Sequence, residues 1–125
     1  MQFHEDLKIK LDRFVHLVYK ITRDFPKEEL YGVTSQIRRA AISVVLNYIE
    51  GYARGGKKVY RNFLEISYGS LKEVKYLLHF SLVENYLSKD DYETVIKIAD
   101  EIGAMLWGTI SKIKEKAEIV SSLFF

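Results

Sequence analysis

Arg54, Lys57, Lys58 and Arg61 crowd into one short stretch of the chain, interleaved with Tyr52 and Tyr60 and broken by Gly55 and Gly56. Cations at that density neutralise phosphates and release their counterions, and tyrosine faces can stack on unpaired bases. The chemistry on offer is the binding of RNA, or of a protein that handles nucleic acid. A solvated turn between two helices would carry the same residues, and Tyr60 also opens a run of core positions, which favours burial over base stacking. Just upstream, Asn47 and Glu50 stand one turn apart. Beside Arg39 or Arg54, Glu50 reads as half of a structural ion pair, and Asn47 as a hydrogen-bonding latch for a neighbouring helix.

Little else in the chain could do chemistry. His4, His16 and His79 are scattered, and none belongs to a Glu-x-x-His pair, so the inward-facing ligand set of a di-iron bundle is missing. His79 reads as a partly buried bystander. The run GYARGGK from Gly51 to Lys57 has glycines and a lysine, but no strand before it and no Ser or Thr after it, as a phosphate loop needs. There is no cysteine, which removes disulfides, thiolate zinc sites and thiol nucleophiles. Glu50 lacks a second acid, base or metal to work with. No enzyme, no cofactor and no metal are expected.

The formal net charge is only +2, and its distribution matters more than its total. Residues 34–61 hold six cations against Glu50 alone, a local +5, and the remaining 13 cations and 16 carboxylates give −3. The positive excess is therefore a patch, not a property of the whole protein.

Four helices must position these residues. With 125 residues, one proline and seven glycines, the chain is long enough for one core and permits long uninterrupted helices, so a single all-α domain over 1–125 is expected. The first helix carries Leu7, Leu11, Phe14, Val15, Val18 and Ile21 at spacings of three and four, and stops before Pro26. The second runs from about Ser35 to Tyr52, with Thr34 or Ser35 as its cap. The third reaches from Lys57 to about Val83, with its main stripe at Tyr60, Phe63, Leu64, Ser67, Leu71, Val74, Leu78 and Leu82. Ile66, Leu77 and Phe80 broaden that stripe, and Gly69 and Ser70 would admit a close neighbour. Ser88 caps a fourth helix through Tyr92, Val95, Ile96, Ala99, Ile102, Leu106, Ile110 and Ile113, which can continue to the end.

The second helix is apolar on two sides. At 100° per residue Ile37, Ala41, Val44, Val45 and Tyr48 cluster on one side, and Ile42, Leu46, Ile49 and Ala53 on the other. Each helix of a bundle normally keeps one face wet. The second cluster is therefore expected to be a subunit interface, and Leu123, Phe124 and Phe125 to be covered by a partner or by the bundle, with disorder in solution as the alternative.

No continuous hydrophobic signal segment opens the chain, and no run of about eighteen apolar residues could span a membrane. A soluble, cytoplasmic protein with no membrane partner is expected.

The run from Ser35 to Glu73, above all QIRRAAISV at Gln36, N-x-x-EG at Asn47 and YRNFLEISYGSLKE at Tyr60, resembles a family of small bacterial proteins encoded in intervening sequences of large-subunit ribosomal RNA genes. FHEDLK at Phe3 and FPKEELYGVTSQIRRAA at Phe25 extend the likeness over nearly the whole chain. Val45 and Leu46 stand where that family usually has Pro-Ser, and Tyr48 and Ile49 where it has Ile-Ala. The resemblance implies an antiparallel up-and-down four-helix bundle that assembles as a homopentamer. It also implies similarity to the accessory protein of diversity-generating retroelements, which binds nucleic acid and a reverse transcriptase through a basic surface. Two functional expectations stand side by side. One is a non-enzymatic oligomeric module that binds RNA or a ribonucleoprotein through the basic turn; the other is a protein-interaction scaffold that binds no nucleic acid.

Overall fold

The structure, a computed structural model, describes residues 2–124, with the side chains in that range except at 115, 117, 118 and 120–124. Its helices are α1 (Gln2–Thr22), α2 (Val33–Arg54), α3 (Lys57–Val83) and α4 (Lys89–Phe124), with a short 3-10 turn at Lys27–Glu29. No strand occurs among the described residues. Each helix packs on two others: α1 and α3 both lie against α2 and α4, and among the described residues the backbones of the diagonal pairs stay apart. The result is an up-and-down four-helix bundle, as the short connections require.

The core forms where the helical stripes converge. Leu7, Leu11, Phe14 and Val18 from α1 meet Ile37, Ala41, Val44 and Tyr48 from α2, Leu64, Leu71, Val74 and Leu78 from α3, and Val95, Ala99, Ile102, Leu106 and Ile110 from α4. Val45, expected on this face, is only partly buried, and Ile66 is exposed.

Contacts between α2 and α3 fix an antiparallel register with small residues at the seam. Ser67 Oγ donates to the Val44 carbonyl at 2.6 Å, and the Ser43 and Ser70 hydroxyls meet at 2.8 Å. The two helices come close at Gly51, where an added Cβ would lie 2.6 Å from Phe63 Cβ. Gly69, expected to admit a neighbour, faces open space instead; Ser70 beside it is the buried one.

Helix ends differ from expectation at one place. Neither Thr34 nor Ser35 caps α2, because the helix starts earlier, at Val33, and Glu29 Oε1 accepts from the Val33 amide at 3.4 Å. Thr34 Oγ1 is left buried without a partner. At α4 the cap is as read: Ser88 Oγ accepts from the Asp91 amide at 3.1 Å. The α1–α2 corner is tied by Arg38, whose Nε donates to Thr22 Oγ1 at 2.8 Å while its guanidinium covers the Tyr19 ring at 4.7 Å. The expectation of a covered C-terminus at Leu123, Phe124 and Phe125 lies outside the described side chains.

Candidate nucleic-acid interface

The turn joining α2 to α3 is made by Gly55 and Gly56, with φ of 72° and 85°. Both lie in the left-handed region, where a side chain is strained, and the reversal sends α3 back along α2. Arg54 ends the first helix, and Lys57 and Lys58 form the first turn of the next. A concavity of about 260 Å³ opens here, lined by Gly51, Tyr52, Gly55, Gly56, Lys57 and Tyr60.

The four cations of this turn are not equivalent. Arg54 Nε is held by Glu50 Oε1 at 2.7 Å, and its guanidinium lies 5.4 Å from the Phe63 ring centroid. Arg61 is half-buried, 4.0 Å from Glu65, and its Nε makes no hydrogen bond. Lys57 and Lys58 are exposed, with no carboxylate partner among the described residues. They also stand where backbone amides point outward and the helix dipole is positive, with no acidic residue in that first turn.

The basic segment of the sequence is divided by the fold. Arg38 and Arg39 lie toward the far end of α2, so the turn itself holds four cations against Glu50, a net +3. Glu50 is paired with Arg54, but Arg39, eleven residues before Glu50, stands about 16 Å away along the helix at 1.5 Å per residue and cannot join it. Asn47 likewise does not reach across directly. Its Nδ2 donates to the Ser43 carbonyl and hydroxyl, each at 2.9 Å, and only the Ser43 hydroxyl touches α3.

Leu46 and Ile49, from the second apolar cluster of α2, are 58% and 51% exposed in the single chain; Ala53 is exposed and Ile42 half-buried. Beside them a groove of about 510 Å³ runs between α1 and α2, with Leu11, Asp12, Val45, Ile49 and Ala53 among its lining.

An aromatic cluster at the turn end of the bundle was not legible in the sequence. His4 Nδ1 meets the Tyr48 hydroxyl at 2.6 Å, and its ring stacks on Tyr52 at 3.6 Å between centroids, with Tyr60 edge-on to both tyrosines. Desolvation raises the pKa values of Tyr48 and Tyr60, so both stay phenols, and the His4 tautomer sets which partner donates in the His4–Tyr48 bond. Burial and the Lys8 ammonium hold the His4 imidazole below its usual range. Tyr60 is half-buried in this cluster; Tyr52 is exposed on its outer side. His4 lies far from Tyr48 in sequence, and only the α1–α2 register brings them together. His79, expected to be partly buried, is exposed.

Among the described residues no three His, Cys, Asp or Glu side chains could hold a metal, and no helix is long and apolar enough to cross a membrane. The fold and site thus define a small up-and-down helical bundle that gathers cations at one turn. The profile of the 23S rRNA-intervening sequence protein family matches residues 6–108, and the chain belongs to that family. Its backbone is similar to the crystal structure of a protein of unknown function from the S23 ribosomal protein family of Bacteroides thetaiotaomicron. That likeness has a TM-score of 0.78 and 23% identity, over 91% of this chain and 99% of the other. Identity at that level speaks for the fold alone. No curated protein matches the chain.

Proposed function

We propose that this protein is a non-enzymatic, self-associating helical-bundle module that binds RNA through the turn carrying Arg54, Lys57, Lys58 and Arg61. One observation carries the reading. Lys57 and Lys58 occupy the first turn of α3, uncompensated, against the positive end of the helix dipole. Such a placement works against stability and is favourable only when an anion sits there, where amides and ammonium groups can both reach phosphate oxygens.

Self-association is favoured by the exposure of Leu46 and Ile49 beside the α1–α2 groove. A homopentamer, the assembly implied by the likeness to retroelement accessory proteins, would repeat a modest +3 turn around a ring and raise avidity without any base-specific contact. A chain without cysteine suits the reducing cytoplasm.

Gel shift of a structured RNA across a salt series tests the reading. Binding should weaken steadily as salt rises, and reversal of Lys57, Lys58 and Arg61 to Glu should abolish it while the assembly stays intact. No shift at low salt would refute RNA binding. If the same reversal instead broke the assembly, the cations would belong to a protein-interaction scaffold.

A further inference from the structure

Helical spacing places Lys57, Arg61, Glu65, Tyr68, Lys72 and Lys75 along one face of α3, a strip that leads away from the basic turn. At 1.5 Å per residue the strip is about 27 Å long, enough for several nucleotides of extended strand. Facing it from α4 are Trp107 and Lys114.

The two helices meet there in an aromatic pair bracketed by cations. Tyr68 and Trp107 lie 5.4 Å apart between ring centroids and tilted by 37°. Lys72 Nζ sits 5.2 Å from the Tyr68 centroid, and Lys114 Nζ 5.9 Å from the Trp107 centroid. Trp107 is 51% exposed, although a tryptophan in so small a protein has most to gain from the core. A shallow groove of about 190 Å³ adjoins it, and the neighbouring Gly103 and Ala104 add no bulk.

Charge decides what this seam fits. Among the described side chains Lys57, Arg61, Lys72, Lys75 and Lys114 face Glu65 and Asp100, a net +3. Lys75 is paired with Asp100 at 2.7 Å, Arg61 and Lys114 share Glu65, and Lys72 has no carboxylate partner among the described residues. Lysine is depleted from the centres of protein interfaces, whereas exposed aromatics set among cations recur where single strands are bound. A duplex offers no free base face to stack upon.

We propose that Tyr68 and Trp107, with Lys72 and Lys114, form a stacking platform for unpaired bases of single-stranded RNA, continuous with the phosphate contacts of the α2–α3 turn. This rests on the RNA-binding reading and narrows its ligand to RNA with an unpaired segment.

Trp107 is the only tryptophan of the chain, so its fluorescence reports on the platform alone. Titration of the full-length protein with a short oligouridylate should quench the emission and salt should restore it; an RNA duplex of equal length should leave it unchanged. Trp107→Ala should weaken oligouridylate binding about tenfold by gel shift, within the range for loss of one stacked base. Lys72→Glu, an exposed change that leaves the aromatic pair in place, should weaken quenching in the wild-type tryptophan background. RNA binding in the gel with unchanged emission, and with Trp107→Ala as tight as the parent, would overturn the platform and leave the turn reading standing. No RNA binding by either method would overturn both. Emission that shifts with protein concentration in the absence of RNA would assign this face to contact between copies instead.

Discussion

Gly51 on α2 and Phe63 on α3 approach so closely that a Cβ on the glycine would lie 2.6 Å from the Cβ of the phenylalanine. The atom met is at the root of a side chain, so it cannot swing away; one backbone would have to move. The glycine of the N-x-x-EG motif therefore sets how tightly the hairpin closes just before the basic turn.

Alanine at position 51 gains about 1 kcal/mol of helix propensity but overpacks a seam at about 1–3 kcal/mol. Gly51→Ala should therefore be neutral to destabilising by up to about 2 kcal/mol. Gly69→Ala, in the same hairpin but facing open space, should stabilise by up to about 1 kcal/mol. Urea unfolding of both variants isolates the packing contribution, and equal effects at the two positions would refute the close approach.

Thr34 carries a buried hydroxyl without a hydrogen-bond partner. An unsatisfied buried hydroxyl costs about 1–3 kcal/mol, and valine fills the same space without it. Thr34→Val should raise the midpoint of thermal unfolding, whereas Thr34→Ser, which keeps the hydroxyl and loses a methyl, should lower it. A drop for the valine variant would mean that the hydroxyl is satisfied in solution.

His4 is held below its usual pKa range by burial and by Lys8, while in the unfolded chain it titrates near pH 6.5. Below that pH the unfolded state binds the proton first, so the stability contributed by neutral His4 is present above about pH 6.5 and is lost as pH falls toward the lower folded value. Protonation also leaves Nδ1 able only to donate to the Tyr48 hydroxyl. Unfolding measured at pH 5 and pH 8 should show a gap that narrows in His4→Gln. An unchanged gap would place the pH dependence on other groups.

Leu46→Glu and Ile49→Glu change side chains that are exposed in the single chain, so the helical content should not alter. Sedimentation should nevertheless show the wild type as an oligomer and each variant shifted toward monomer, since a carboxylate in an apolar contact has no partner. A monomeric wild type at micromolar concentration would contradict self-association.

Much of the fold was legible because it depends on spacing alone. Apolar residues three and four apart in α1, α3 and α4 mark the buried stripes, and Pro26 and Gly55-Gly56 mark two of the breaks. The caps were less so: Ser88 acts as read, but Thr34 does not, since Glu29 comes from outside the helix to serve the Val33 amide at the start of α2.

The candidate site divides along the same line. The sequence by itself determined that cations cluster around a glycine turn, that α2 has two apolar sides and that Glu50 has an arginine within one helical turn, because these are properties of neighbours along the chain. Tertiary structure decided the rest. It drew Arg38 away to Tyr19 and Thr22, left Lys57 and Lys58 without a carboxylate partner among the described residues, brought His4 onto Tyr48 and set Trp107 beside Tyr68. Those relationships depend on the register between helices, which is fixed by the summed packing of whole faces and by close approaches such as Gly51 on Phe63, and no local pattern carries that information.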